Sequence, residues 1–172
     1  MEKIKNISDN MALLKNLALI TACGAKKKKY PTKAYELYLS PRIKAVFNRR
    51  DGVDMYILSA KYGLVNALQV IEPYDEVMTQ EKARILAPQV AKVLKNYKTA
   101  IFYKAGARKE YLECMINACK IAKVNLVAIG YGFMGDVGKI PYIIELLKKR
   151  NLKEVIKEIR ENCRNPLIIL QE

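Results

Sequence analysis

Four short apolar segments, each followed by a turn that holds glycine or lies near one, constrain the fold of this chain most. They span residues 17–22, 54–59, 99–104 and 124–129. Each segment is too short for a typical buried helix, and stretches with helical periodicity separate them. Short buried strands that alternate with helices indicate crossover connections and a mainly parallel sheet.

We therefore predict a single-domain α/β fold: a mainly parallel sheet of four to five strands with helices on both faces, a three-layer sandwich. A chain of 172 residues fits one such domain. Residues 17–172 would form the domain, and residues 1–16 an N-terminal arm. Residues 167–170 form either a fifth strand or a packed tail. Pro88 lies inside the helix predicted over residues 80–97 and predicts a kink or a break.

The exits of the predicted strands locate the functional surface. In sheets of this kind, ligands bind at the carboxyl ends of the strands. Those ends fall at residues 23–24, 59–61, 105–106 and 130–132. We expect these turns to meet at one edge of the sheet and to hold the site.

The positive charge is concentrated at the beginning of the chain. The net charge is +14, and the first 50 residues hold twelve lysines and arginines against three acidic residues. Such a basic segment favours an anionic partner, such as nucleic acid, a nucleotide or a phosphorylated metabolite. General lysine enrichment, as in thermophiles, is the alternative interpretation.

The chain contains no histidine, which excludes histidine-based catalysis and histidine-ligated metals. Its four cysteines form no CxxC pair, and buried thiols are the preferred interpretation for three of them, Cys114, Cys119 and Cys163. We predict neither a metal site nor a cofactor. No apolar stretch is long enough to cross a bilayer, so we expect a cytoplasmic protein without a membrane partner.

The first candidate loop covers residues 23–29. Gly24 permits a tight turn, while Lys26 and Lys27 could contact a phosphate or carboxylate, or could simply be solvated. Cys23 could act as a nucleophile beside these cations, or could be a small residue packed at the turn.

The second candidate loop covers residues 59–63. It begins with Ser59, and Lys61 supplies a cation. Tyr62 could stack on a base or sugar, and Gly63 permits close approach of the backbone.

A carboxylate follows this loop in a Tyr74-Asp75 pair. Asp75 could orient a ligand hydroxyl, pair with Lys61 or act as a general base. A structural salt bridge or a cap for the next helix is the alternative.

The third candidate is the turn at Gly106 and Arg108. It precedes a predicted helix, whose free N–H groups together with a cation would make an anion site. A solvated first helical turn is the alternative.

Two of these segments resemble known families. YILSAKYGLV at residues 56–65 and IEPYD at residues 71–75 resemble an uncharacterised domain family with an LSAKYGL loop followed by PYD. They are more distantly similar to the LSGLYG and PYRLEM segments of the YaaA peroxide-stress proteins, which are regarded as DNA-binding. Residues 20–27 resemble the cysteine–lysine loop of a domain in archaeosine synthases, which modify archaeal tRNA. That resemblance implies a fold like that of the uracil-DNA glycosylases.

The resemblance implies a protein associated with nucleic acid or nucleotides. One form is an enzyme acting on a base or an N-glycosidic bond, with Asp75 as acid–base group and Lys61 stabilising charge. The alternative is a non-catalytic DNA- or RNA-binding module, in which basic residues within 26–29 and 42–50 contact phosphates. An enzyme for a small phosphorylated metabolite is a third form. Asp75 stands where the YaaA pattern has arginine, and the glycosylase motif with its catalytic Asp and His is absent.

Overall fold

The computed structural model describes residues 16–130 and 134–171. Most of the predicted arm and residues 131–133 lie outside these ranges. The strands of the described residues are β1 Leu17–Ala22, β2 Thr32–Lys33, β3 Asp54–Ser59, β4 Gly63–Asn66, β5 Val70–Ile71, β6 Thr99–Tyr103, β7 Asn125–Ile129 and β8 Leu167–Ile169. The helices are α1 Ala34–Leu37, α2 Pro41–Phe47, α3 Gln80–Leu94, α4 Lys109–Ala122, α5 Ile140–Lys149 and α6 Leu152–Asn162, with a 3₁₀ helix at Met134–Lys139.

Six strands form the central sheet, in the order β4-β3-β1-β6-β7-β8. The inner four run parallel, whereas β4 and β8 are antiparallel edges. All six residues of β1 are buried, as expected for a strand covered on both faces. The predicted mainly parallel sheet is confirmed, and residues 167–169 form a strand rather than a tail.

Helices cover both faces of the sheet. The connection from β1 to β3 runs toward one edge of the sheet. The connections from β3 to β6 and from β6 to β7 run toward the other edge. Because parallel crossovers are right-handed, opposite steps place their helices on opposite faces. α3 and α4 accordingly pack together, while α2 packs on β1 and on the 3₁₀ helix. The predicted three-layer arrangement is confirmed.

Some short elements have no counterpart in the sequence prediction. β4 pairs with β3 directly after the turn at residues 60–62, and β2 pairs with β5 through two residues each. Strands of two to four residues are too short to show a periodic pattern. Their pairing is decided by the neighbouring strand.

Helix α3 is not broken at Pro88. Proline removes the hydrogen bond to the carbonyl four residues earlier, that of Arg84. Both residues are exposed, so water can satisfy that carbonyl and the helix continues. The break that the sequence suggested is therefore absent.

Gly130 directly follows β7, and both its backbone conformation and the space around it suit only glycine. Its φ is +86°, and an added Cβ would lie 2.5 Å from Cε2 and 2.8 Å from Cδ2 of Tyr103. Tyr103 is fully buried, so its ring has little room to move. Close packing of this strand end on Tyr103 fixes the chain where it leaves the sheet.

We expect Gly130→Ala to lower the free energy of unfolding by about 2–4 kcal/mol, since backbone strain and overpacking each cost roughly 1–3 kcal/mol. Urea denaturation measures the change. Gly138→Ala is the matched control, because a Cβ there meets nothing within 4 Å. Equal losses for the two variants would contradict the steric argument.

Candidate functional site

A cleft lies where the direction of chain crossing reverses. β1 sits between β3 and β6, and the connections that follow β1 and β6 lie on opposite faces of the sheet. The loops that leave these two strands therefore separate and open a crevice between them. A cleft of about 590 Å³ occupies this position and is lined by residues of both loops. We call it the switch-point cleft.

The switch-point cleft brings together part of the predicted site. The predicted residues that line it are Cys23, Gly24, Lys26, Gly106 and Arg108. Apolar side chains also line the cleft, among them the exposed Leu39 and Val77. The turns after β1 and β6 thus meet at one site, as expected from their place at the strand ends.

A second groove, of about 580 Å³, lies between α3 and α4. Its lining residues, such as Arg84 and Glu113, all come from these two helices. None of its lining residues stands at a strand end. Sheet topology therefore favours the switch-point cleft as the functional site.

The charge of the switch-point cleft is predominantly positive. Among the described residues that line it, Lys26, Arg42 and Arg108 are cationic, and Glu76 is the carboxylate. Glu76 forms an ion pair with Lys82, and Arg108 forms one with Glu110, so Lys26 and Arg42 are the cleft cations outside ion pairs among the described residues. The cleft is therefore suited to an anionic group.

Arg42 is anchored at the end of β1. Its Nη2 donates hydrogen bonds to the carbonyl oxygens of Ala22, at 2.8 Å, and Cys23, at 3.3 Å. Its Nε is buried and has no hydrogen-bond partner among the described residues. Burial lowers the pKa of this guanidinium. Arg42 is thus a partly desolvated cation with an unused donor beside the cleft.

A group of hydroxyls and one thiol lies beside the cleft, and all of its members except the half-buried Tyr74 are buried. The Sγ of Cys23 is 3.0 Å from the Oη of Tyr111, and the Oη atoms of Tyr38 and Tyr74 are 2.6 Å apart. Burial raises the pKa of Tyr74 and of Tyr111. The thiol therefore sits among phenols that hold their protons firmly.

Ser59 orders this group. Its Oγ accepts hydrogen bonds from the backbone N–H groups of Lys61 at 3.1 Å and Tyr62 at 3.0 Å. Both lone pairs are then occupied, so the hydroxyl proton is free to donate. Burial raises the pKa of Tyr38 and of Tyr74, and hydrogen bonding to Ser59 opposes that rise. We call Cys23, Tyr38, Ser59, Tyr74 and Tyr111 the hydroxyl cluster.

Aromatic contacts join the second candidate loop to Tyr74. The ring of Tyr62 packs edge-on against Tyr74 at a centroid distance of 5.3 Å, and its hydroxyl donates to the carbonyl of Glu72. Lys27 places its Nζ 4.5 Å from the centre of the Tyr74 ring. These residues support the hydroxyl cluster and do not line the cleft. Gly63 is buried, and the Gln89 amide covers it.

The two residues predicted as catalytic stand apart from the cleft. Lys61 and Asp75 are exposed, and neither belongs to its lining. The Nζ of Lys61 lies 5.2 Å from the centre of the Tyr62 ring. No ion pair joins Lys61 to Asp75 in the described part of the chain. The structure brings neither side chain to the thiol.

Sequence reasoning missed Tyr38, and it did not place Arg42 at a cleft. Tyr38 directly follows the four-residue helix α1 and is fully buried. No spacing rule connects it with Tyr74, which lies 36 positions further along. The serine–proline start of α2 was the available signal for the helix that holds Arg42, but only the fold brings that helix to the end of β1.

The other three cysteines are buried free thiols. Burial raises the pKa of Cys114 and Cys119 to about 12 and that of Cys163 to about 11. This agrees with their interpretation as packed residues. Within residues 16–130 and 134–171, no group of three metal-ligating side chains could hold a metal ion.

The fold and the cleft define a doubly wound α/β protein with a crevice at its topological switch point. The chain belongs to the DUF6884 family, a family of unknown function whose model matches residues 17–132. This confirms the expectation of an uncharacterised domain. The likeness to YaaA proteins and archaeosine synthases stays a prediction. No curated protein matches the sequence.

The fold is also similar to that of a protein of unknown function, AF0587, whose crystal structure is known. The TM-score is 0.54 at 13% identity, and the match covers 96% of this chain. The chain spans 63% of the length of that neighbour, so the likeness concerns the fold of this part. Among the described residues, no helix has the length and apolar character that spanning a bilayer requires.

The raised pKa values of the cluster tyrosines predict a loss of stability in alkali. The ordinary pKa of tyrosine is 10.0, and burial raises that of Tyr38, Tyr74 and Tyr111 in the folded protein. A group whose pKa rises on folding stabilises the fold fully below its unfolded pKa. That contribution is lost as the pH rises, so the free energy of unfolding should fall above about pH 10.

Tyrosinate absorbance tests this expectation. At about pH 11, the folded protein should show less tyrosinate than the protein in denaturant. Tyr38→Phe should reduce the difference between the two titration curves, whereas replacing the exposed Tyr30 should not. Coincident curves for the folded and the unfolded wild type would contradict the prediction.

Proposed function

We propose that this protein binds a nucleotide or a nucleic acid at the switch-point cleft. A base would occupy the cleft, and its phosphate would lie against Lys26 and Arg108. The observation that carries the proposal is an apolar cleft with cationic side chains at the topological switch point. Doubly wound sheets bind nucleotides at this place.

The dimensions and walls of the cleft suit a base. Its volume of about 590 Å³ lies within the range of small-molecule sites. Leu39 and Val77 are 54% and 50% exposed and offer apolar surface to a flat ring. The positive side chains then favour phosphate over a neutral substituent.

The surface next to the cleft supports a longer ligand. Lys26 and Lys29 are exposed, and Lys28 stands 5.8 Å from the ring centre of Tyr30, itself 58% exposed. Lysines interleaved with an exposed aromatic ring suit a single-stranded nucleic acid, whose backbone and bases they can contact. The resemblance to YaaA proteins and archaeosine synthases likewise implies an association with nucleic acid or nucleotides.

Two forms of this function remain as alternatives. In the enzyme form, Asp75 is the acid–base group and Lys61 stabilises charge on a base or an N-glycosidic bond. Both side chains are exposed outside the cleft, so they would act on a ligand that extends beyond it. In the other form, the protein is a non-catalytic binding module.

We expect Lys26→Ala and Arg108→Ala each to weaken binding of a labelled single-stranded oligonucleotide by about tenfold, the loss of one charge-assisted contact. Fluorescence anisotropy measures the affinity. Lys153→Ala is the matched control, because it removes the same charge near the start of α6. Its neighbours Asn151 and Leu152 line a pocket with Leu17 and Thr99, the first residues of β1 and β6. Lys153 therefore lies near the starts of these strands, whereas the cleft lies at their ends. Equal weakening by Lys153→Ala would contradict a localised site.

The salt dependence of binding and an analysis of the reaction products distinguish the enzyme from the binding module. Affinity for the oligonucleotide should fall steeply with salt if several phosphates are contacted, and a flat profile would contradict a phosphate-tracking surface. Release of free base by the wild type, abolished by Asp75→Asn and Lys61→Ala with binding retained, supports the enzyme. Binding without release supports the module.

A further inference from the structure

We propose that Cys23 is a nucleophile that adds its thiol to an electron-poor unsaturated carbon of the ligand in the switch-point cleft. In a nucleotide this carbon is C6 of a pyrimidine, whose C5=C6 bond is conjugated with a carbonyl. The choice of ligand rests on the proposed function. The reactivity of the thiol rests on the hydroxyl cluster, the cleft and Arg42.

The position of Cys23 suits a reacting group. It is the first residue after β1, it lines the cleft and it is 7% exposed. Its N–H donates to the carbonyl of Leu58 at 3.0 Å, while its own carbonyl accepts a hydrogen bond from Arg42. Main-chain bonds on both sides hold the thiol on the rigid sheet. Such anchoring gives the precise placement that catalysis needs.

Tyr111 is the group that can move a proton beside the thiol. Its hydroxyl is 3.0 Å from Sγ, and both residues line the cleft. Because its pKa is raised, Tyr111 stays protonated and can give a proton only while it receives another. It is therefore suited to relay a proton between sulfur and ligand.

The rest of the hydroxyl cluster keeps this arrangement in place. Ser59 has its hydroxyl proton available for donation, since two backbone N–H groups occupy its lone pairs. The phenols of Tyr38 and Tyr74 are joined to each other by a hydrogen bond of 2.6 Å. A polar cluster of this kind is costly to leave unpaired and holds its members in position.

Arg42 provides an independent sign of a ligand. It is half-buried, it forms no ion pair among the described residues, and its buried Nε has no acceptor among them. A partly desolvated cation without a counter-ion is unfavourable on its own. Negative charge that develops on the ligand during addition would be stabilised beside it.

The addition balances without a further reactant. The sulfur of Cys23 forms a bond to C6, and the π electrons of C5=C6 move toward C5 and the conjugated carbonyl. The thiol proton passes to Tyr111 as Tyr111 delivers its own proton to the ligand. Nothing is oxidised or reduced, and no group leaves. Reversal of these steps releases the ligand.

N-ethylmaleimide is a direct probe, because a thiol adds to its conjugated double bond in the same way. Intact-protein mass spectrometry and peptide mapping follow the reaction at neutral pH. We expect one early adduct at Cys23, formed about tenfold or more faster than at Cys114, Cys119 or Cys163, whose raised pKa values disfavour the reactive thiolate. Cys23→Ser should abolish it.

Tyr111→Phe tests the proton relay. Removing the hydroxyl should slow the adduct by about tenfold or more, at the low end of general acid–base contributions. Tyr142→Phe is the matched control, since that exposed phenol bonds to Asn162 and does not line the cleft. Circular dichroism establishes that each variant is folded. An unchanged rate in folded Tyr111→Phe would overturn the role of Tyr111.

Protection of Cys23 from labelling by nucleotides distinguishes a failure of this proposal from a failure of the proposed function. Uridine monophosphate should slow the reaction at Cys23, since its base would cover the thiol. Selective labelling without protection by uridine or adenosine monophosphate would leave the reactive thiol standing and overturn the nucleotide ligand. Oligonucleotide binding with Cys23 no faster than the other cysteines would overturn the nucleophile and leave the binding function.

Discussion

The structure depends on the pairing of β1 between β3 and β6. This strand contributes six buried residues and bonds along both edges, so the sheet is assembled around it. The same pairing places the loops after β1 and β6 on either side of a crevice. The position of the cleft is thus a consequence of strand order. Loops on such a rigid frame can carry function while the frame supplies the stability.

The buried and half-buried polar groups at the end of β1 are the unusual part of this frame. A thiol, a serine hydroxyl, three phenols and a guanidinium lie where apolar packing would cost less. Hydrogen bonds satisfy most of them, including the 2.6 Å contact between Tyr38 and Tyr74. Arg42 keeps a buried Nε without a partner in the described part of the chain. This concentration of polar groups beside a cleft is the physical basis on which we propose a site there.

The fold and part of the site could be predicted because they follow from local patterns. Buried strands appear as short apolar runs, and a glycine-containing turn marks where the first one ends, at Cys23 and Gly24. β4 was not predicted, because a strand of four residues is too short to show an alternating hydrophobic pattern. The exposed positions of Lys61 and Asp75 could not be read from their neighbours, since exposure depends on how the segment after β5 lies on the sheet.

The sequence by itself determined the α/β class, the absence of histidine chemistry, the basic first third and the edge of the sheet where loops converge. These properties are set by composition and by patterns within a dozen residues. Only the tertiary structure brought Tyr111 to Cys23, 88 positions away, and Tyr38 to Tyr74. Such contacts follow from strand order and helix packing, which join distant segments that no local spacing rule connects.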